Sequence, residues 1–296
     1  INCDYCYLPD RTSARRMDLG TLEAVTRNLA DSGLVAAPFD LLWHAGEPLA
    51  VPIDWYEQAF AIIDAHPNLH GKAMHNFHST ATLIDQRWCD FLKAHADRLD
   101  IGLSIDGPAF IHDRHRRTRR GDGTPRKATR GADLLKQNGI PVGTVAVISE
   151  QSLRYPDEIF KYFIELGVRG VGFNIEEVEG VNESSSLSTE PDARVREFLQ
   201  RIFNLNRDSG FPLQIREFDN AFEALLRPGD SRAPDGLMFN LETEAFAMVN
   251  VDWAGNFSSF SPELLGQVTE TYGIFNFGNL TSQGLFEATA NPRFRK

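Results

Sequence analysis

From residue 20 to residue 207, short runs of β-branched and apolar residues alternate with longer stretches whose apolar positions recur every three or four residues. The first pattern reads as strand and the second as amphipathic helix. Strands are expected at residues 40–44, 74–79, 101–105, 143–148 and 170–176. Helices are expected at 20–32, 53–66, 85–98, 125–138, 156–166 and 192–207. Gly139 and Gly167 act as C-terminal stops, and Pro156 suits a first helical turn. Strands spaced by about 26–42 residues with helices between are the repeat of a parallel sheet. A sixth strand is expected just upstream of Cys3. That places the cysteine loop at a strand's C-terminal end, where α/β barrels keep their chemistry. The expected fold class is α/β, a partial (β/α)6 TIM-like barrel over 1–207.

The pattern changes after residue 207. Residues 245–252 lead through 253–256 into 257–261 and read as a β-hairpin with a Gly-Asn turn. A helix is expected from about Ser282, and residues 179–189 form a polar, Ser-rich loop. Residues 208–296 are read as a linker and an incomplete second region.

Composition narrows the classes. A chain of 296 residues allows one large or two modest domains, and 42% hydrophobic content allows an ordinary core. No apolar run approaches the ~20 residues of a membrane span. A net charge of −11 argues against a general nucleic-acid binder. Three cysteines are no disulfide framework, so a reducing cytoplasm is the expected compartment.

Four constellations carry chemistry. Cys3-Asp4-Tyr5-Cys6 brings two sulfurs together, suiting an iron–sulfur cluster, a zinc site or a redox dithiol. Zinc lacks a second ligand pair, since Cys89 is the one other cysteine and reads as a buried helix residue. The following Leu8-Pro9-Asp10 and the Arg-rich 11–16 read as loop rather than as a dithiol helix. His44-Ala45-Gly46-Glu47-Pro48 ends a strand; it is either a simple stop or a kinked loop offering carbonyls and a carboxylate to an ammonium. Ser104-Ile105-Asp106-Gly107-Pro108 ends another strand and precedes His112-Asp113-Arg114. Five arginines within 114–120 read as a solvated loop or a lid over an anionic ligand. His78 and Ser79 end a third strand, and Asn174 and Glu176 share one face of a fourth, lining a cavity or forming its rim.

Together these stretches resemble the radical S-adenosylmethionine (SAM) superfamily. Cys3 and Cys6, with Tyr5 before the second, resemble the tail of the Cys-x-x-x-Cys-x-Φ-Cys motif. The resemblance implies that they hold a [4Fe–4S] cluster with a third cysteine four residues before Cys3, outside this chain. His44 to Pro48 resembles the Gly-Gly-Glu-Pro motif, with Ala45 in place of its first glycine. That implies that His44, Ala45, Gly46, Glu47 and Pro48 bind the methionine ammonium of SAM. The Ser-Ile-Asp-Gly-Pro stretch implies SAM contacts for Ser104 and Asp106, with a second arginine at Arg116 or Arg117. Residues 78–83 resemble Gln-Thr-Asn-Gly-Thr-Leu at Thr82 and Leu83, which puts His78 and Ser79 in the SAM or substrate cavity.

Residues 43–49, 173–180, 257–266 and 277–279 narrow the resemblance to radical SAM/SPASM maturases of glycine-rich-repeat peptides, which form cyclophanes. This implies hydrogen abstraction at a Cβ of a precursor peptide and a carbon–carbon bond to an aromatic ring. Asp252 or Glu263 would accept the proton. Asn174 and Glu176 would line the cavity, and 208–296 would begin a SPASM/twitch-like domain. The implied partners are the peptide and a reductant such as flavodoxin or ferredoxin. No cysteine follows Cys89, so auxiliary [4Fe–4S] clusters are expected only in a full-length chain. An anaerobic sulfatase-maturase-like enzyme, making formylglycine, is the alternative within the superfamily. A non-catalytic, zinc-bound peptide-binding module is the alternative from another class.

Overall fold

The computed structural model describes residues 1–8, 12–35, 37–178, 180–187, 192–226, 244–290, 292 and 294. Pro9, Asp10 and Arg11 of the expected Arg-rich loop, and Glu179, Ser188 and Thr189 of the Ser-rich loop, lie outside the described residues. The chain opens with β1 (Asn2–Cys3), α1 (Leu19–Asp31), β2 (Phe39–Trp43), α2 (Ile53–Asp64) and β3 (Ala73–Ser79). Next come α3 (Gln86–Ala94), β4 (Leu99–Ser104), α4 (Ala109–His115), β5 (Arg116–Arg117) and α5 (Pro125–Gln137). β6 (Gly143–Ile148), α6 (Pro156–Leu166), β7 (Gly170–Ile175), α7 (Asp192–Asp208), β8 (Gln214–Ile215) and α8 (Arg216–Leu226) follow. Five short strands close the chain: β9 (Val249–Val251), β10 (Asn256–Ser259), β11 (Val268–Thr269), β12 (Gly273–Ile274) and β13 (Gly278–Asn279).

Local chemistry sets the helix ends. Asp18 caps α1 by accepting from Thr21 N at 2.7 Å, and Asp85 caps α3 by accepting from Trp88 N at 3.0 Å. α5 and α6 both start on proline, and α6 stops on Gly167 at φ +71°. α3 ends earlier than its periodicity predicts, at Ala94 instead of Arg98. An acidic Asp97 is unfavourable against the negative end of a helix, and the chain turns there with Arg98 N donating to His95 O.

A six-stranded sheet in the order β2-β3-β4-β6-β7-β8 forms the architecture, and its pairings from β3 to β8 are parallel. Phe77 of β3 is fully buried against Trp88 and Phe91 of α3, with ring centroids 6.1 and 6.5 Å away. Phe173 of β7 meets Phe163 of α6 and Phe198 of α7. Each such burial stabilises by about 1.5–3 kcal/mol. Cys89 is fully buried in α3.

By internal packing the chain divides into two compact units, each assembled from separated segments. One comprises 1–8, 42–50 and 75–230; the other comprises 9–41, 51–74 and 231–296. In the second, β10 lies between β9 and β13, and β11 pairs with β12. Phe257, Phe277, Leu280 and Leu285 form its core with Val25 of α1 packed against them. The Asn28 side chain of α1 donates to Leu280 O at 2.9 Å and accepts from Leu285 N at 3.1 Å.

Several expectations are corrected. The sheet gains a strand the sequence did not predict, β8, which is too short to show a period, and β1 pairs antiparallel with β5 outside that sheet. The helix expected from Ser282 is a 3₁₀ segment, Leu285–Ala290, in a stretch bounded by Gly284 and Pro292 that leaves little room for α turns. Residues 114–120 are not all solvated loop: they hold the end of α4 and β5, and Arg116 is buried. The hairpin turn spans residues 252–255, with Gly255 at φ +85°.

Candidate active site

The Cys-x-x-Cys segment is anchored from below by a buried charge network. β1 pairs with β5 in the register Cys3↔Arg116 and Asn2↔Arg117. Asp106, 1% exposed, lies just beyond β4. Its Oδ2 accepts from Arg116 Nε at 2.9 Å and from Tyr5 OH at 2.6 Å. Its Oδ1 accepts from Val147 N at 2.9 Å, tying the network to β6. Arg116 continues toward the cysteine, with Nη1 3.9 Å from Cys3 Sγ and its guanidinium over the Tyr5 ring. Burial would lower the Arg116 pKa, but Asp106, Tyr5 and Cys3 outweigh it and raise it. Burial raises the Cys3 thiol, and Arg116 offsets part of that rise. Burial likewise holds the Tyr5 phenol well above its ordinary value, against the lowering effect of Arg116.

His112 locks the same network from behind. Asp106 N donates to His112 Nδ1 at 3.3 Å, so the ring proton sits on Nε2, which reaches Thr124 Oγ1 at 3.0 Å. Thr124 in turn donates to Arg116 O at 2.7 Å. Burial pushes the His112 pKa down to about 4. His115, on the last turn of α4, meets Asp4 Oδ1 through Nδ1 at 2.8 Å and packs its ring near Tyr5.

The loop after β2 is braced differently. Ala45 and Gly46 both have φ +71°, a conformation that costs about 1–2 kcal/mol for a residue with a Cβ. Glu47 holds the kink in place. Its Oε1 accepts from Ser79 Oγ at 2.8 Å and Leu49 N at 3.1 Å, and its Oε2 accepts from Thr80 N at 3.0 Å and from Thr80 Oγ1. A carboxylate offers about four lone-pair sites. Four donors therefore occupy Glu47, which works as a brace to the end of β3, with Pro48 buried beside it. The remaining polar groups of this loop are its backbone and the His44 ring.

His44 presents exposed surface, yet the protein around it desolvates the ring; that crowding and the facing His78 bring it down to about 4. Tyr7 OH lies 2.6 Å from His44 Nε2, and the His44 and His78 rings meet edge-on at 5.7 Å. His78 is lowered as well, by burial and then by Arg216. Ser104 is half-buried at the end of β4. Arg117 points outward, donating to Asp113 O at 2.6 Å. Asn174 accepts from Arg216 at 2.7 Å. Glu176 is buried beneath the 185–186 turn, accepting from Ser186 Oγ through its side chain and from Ser185 Oγ through its carbonyl. The expected strand 170–176 puts Asn174 and Glu176 on one face, but β7 ends at Ile175, leaving Asn174 exposed and Glu176 covered.

Cys3, Cys6, residues 44–48, His78, Ser79, Ser104, Asp106, Arg116, Arg117, Asn174 and Glu176 all belong to the first unit. Asp252 and Glu263 belong to the second. Asp252 organises its hairpin turn: Oδ1 accepts from Ala254 N and Asn256 N, and Oδ2 from the Asn256 amide. Glu263 accepts from Ser261 Oγ. Sequence reading assigned no role to Tyr5, Tyr7, Thr80, His112 or Arg216. Tyr5 was visible as the aromatic before Cys6, but its partner is 101 residues away.

The donor chemistry can be tested against a metal group. Cys3 and Cys6 are half-buried thiols outside any disulfide, and a cation sits by Cys3 to balance thiolate charge. Soft sulfur ligands of this kind suit an iron–sulfur cluster. Among the described residues no group of three or more His, Cys, Asp or Glu is arranged to hold a metal ion.

A family model described as Radical SAM superfamily matches residues 1–163. An uncharacterized protein of Synechocystis sp. is 38% identical over 301 residues, covering 100% of this chain and 74% of that protein. The serine-type anaerobic sulfatase-maturating enzyme of Klebsiella aerogenes is 28% identical over 214 residues, 71% of this chain. That match spans 52% of the maturase. Among solved structures, anSMEcpe with bound AdoMet and a Cp18Cys peptide has TM-score 0.80 at 21% identity, covering 100% of this chain and 78% of that one. Streptococcus suis SuiB bound to precursor peptide SuiA has TM-score 0.67 at 14% identity, covering 99% of this chain and 62% of that one. Likeness at these identities speaks for the fold. Among the described residues no helix is long and apolar enough to cross a membrane.

Proposed function

Since the chain belongs to the radical SAM superfamily, a family of enzymes, we propose that it is the core of a peptide maturase that joins a Cβ of a precursor peptide to an aromatic ring of the same peptide. The observation that carries the superfamily chemistry is the Cys3–Arg116–Asp106–Tyr5 network, which couples the cysteine strand to the end of β4. When bound, a [4Fe–4S] cluster and SAM supply a carbon radical able to remove a hydrogen atom.

The chain's own residues set the stage for that chemistry. Cys3 and Cys6 hold the cluster, and Arg116 compensates its thiolate charge. The strained backbone at Ala45 and Gly46, fixed by Glu47, presents polar groups to the SAM ammonium, with Ser104 and Asn174 as further polar contacts. His44 is neutral above about pH 5, so it adds no positive charge beside a cationic sulfonium and ammonium. Buried Asp106 and Glu176 act by positioning. For the proton released when aromaticity returns, Glu263 is preferred to Asp252 on geometry. Asp252 is taken up by three donors within its own hairpin turn, whereas among the described residues Glu263 accepts from Ser261 Oγ alone.

The glycine-rich-repeat resemblance and the precursor peptide named for SuiB support a ribosomally made peptide as substrate, with a one-electron donor as second partner in a reducing cytoplasm. Formylglycine formation is the second reading, favoured by the 28% identity to a sulfatase-maturating enzyme. Anaerobic incubation of the full-length protein with precursor peptide, SAM and reductant separates the two. A crosslink appears in tandem mass spectrometry as two joined side chains after loss of two hydrogens. An aldehyde at one serine or cysteine, with no joined fragments, sinks the crosslinking reading. Absence of 5′-deoxyadenosine from a cluster-loaded protein sinks the superfamily chemistry.

A further inference from the structure

The chain carries −11 overall, yet from Arg114 to Arg130 it holds eight Lys and Arg against one acidic residue. Arg116 alone of these is buried with an acidic partner. Arg114, Arg117, Arg119, Arg120, Arg126 and Arg130 are exposed.

This cationic segment is built, not draped. Arg117 bridges to Gly123, and Thr118 N donates to Asp122 O at 2.8 Å while Gly121 N donates to Thr118 O at 2.9 Å. Thr118 Oγ1 accepts from both Arg120 N and Asp122 N. Asp113 Oδ1 accepts from Thr124 N at 2.9 Å, and a Cβ at Gly123 would fall 2.3 Å from the same carboxylate. Arg126 and Arg130 extend the positive surface onto α5, along an open groove of about 630 Å³ that Tyr162 and Asp133 also line.

Its position gives it meaning. The ribbon begins at β5, whose Arg116 is the pairing partner of Cys3. At about 3.3 Å per residue, Arg119 and Arg120 lie no more than about 10–13 Å along the chain from that pair. Seven exposed Lys and Arg against Asp113 and Asp122, on a loop beside the cluster cysteine in an acidic protein, suit an acidic partner that must come close to the cluster.

We propose that the 114–130 lobe is the docking surface for a small acidic one-electron carrier protein that reduces the cluster. The inference rests on the reading of Cys3 and Cys6 as cluster ligands. One electron leaves the carrier and enters the oxidised cluster; no bond is made or broken and no proton moves.

The test uses the full-length, cluster-loaded protein in anaerobic stopped flow. Cluster bleaching is followed with reduced flavodoxin as acidic carrier and with photoreduced 5-deazariboflavin as small reductant. The variants are Arg119→Glu/Arg120→Glu and the milder Arg119→Gln/Arg120→Gln, checked for fold by circular dichroism. The expected result is a fall of tenfold or more in the flavodoxin rate constant at low salt for the Glu pair. The Gln pair falls between, the wild-type salt dependence flattens, and the deazariboflavin rate stays within twofold. Equal flavodoxin rates in all three proteins overturn the proposal. So does an unchanged flavodoxin rate accompanied by lost binding of SAM or of a polyanion, which would assign the lobe to an anionic ligand. If deazariboflavin fails to bleach the wild type, the cluster reading itself fails.

Discussion

Replacing Gly131 with alanine sets two effects against each other. Gly131 lies inside α5, where alanine is favoured over glycine by about 0.8–1.0 kcal/mol. Propensity alone therefore promises a more stable protein. The structure argues the opposite. An added Cβ would stand 2.2 Å from Ala81 O, 3.1 Å from Ala81 C and 3.2 Å from Ala81 Cβ. The obstacle is backbone, and Ala81 is already at φ +63° in the turn after β3. Helix and turn must separate by about 1 Å, and overpacking of this kind costs about 1–3 kcal/mol. The expected net effect is a loss of up to about 2 kcal/mol, or up to a few degrees in Tm for a chain of this size. Because the same turn carries Ser79 and Thr80, SAM affinity should weaken along with stability. Circular dichroism melts and SAM titration read both. A Gly131→Ala protein that melts higher than wild type would refute the close approach, and with it the account of how β3 holds Glu47.

Arg116→Met should cost about 3–5 kcal/mol in urea unfolding, because it strands the buried Asp106 carboxylate. Asp106→Asn in the same chain should recover part of that loss, and strict additivity would argue against the pairing. Acid should destabilise the protein before its carboxylates titrate. His112 falls from an unfolded value near 6.5 to about 4, so its contribution is full above pH 6.5 and fades as pH drops toward 4. That contribution is about 3 kcal/mol. His112→Gln should flatten this limb of the stability–pH curve, and an unaltered slope would dismiss the assignment. His44 adds in the same direction, discounted for its solvent access. Asp252→Ala should cost about 1–2 kcal/mol through the hairpin turn while leaving turnover in place, whereas Glu263→Gln should depress turnover itself.

The sheet was legible wherever a run of residues had to satisfy one period. The bounds of β6 and α6 fall where β-branched alternation and the Pro156–Gly167 punctuation put them. β8 escaped because two residues have no period, and α4 because Asp106-Gly107-Pro108 and a dense set of arginines look like turn and solvent. The site was legible as residue types and illegible as partnerships. Arg116 and Arg117 looked like equal candidates for one arginine role; only the fold puts Asp106 and Tyr5 around Arg116. Glu47 looked like a ligand-facing carboxylate, and only the approach of β3 shows its lone pairs occupied. Hydrogen bonds spanning 32 to 113 residues are set by topology, which no local pattern encodes.

The Asn28 side chain bonds to backbone at Leu280, 252 residues further along. During synthesis at about 5–20 residues per second, α1 emerges roughly 10–50 seconds before that partner exists. For that interval Val25 has no Phe257 or Leu285 to cover it, so the second unit waits with an open apolar face while the parallel sheet assembles. Ribosome pausing or chaperone supply late in translation thus bears on this unit more than on the sheet. A recombinant chain shortened before residue 280 should aggregate through α1, at the opposite end of the sequence from the cut.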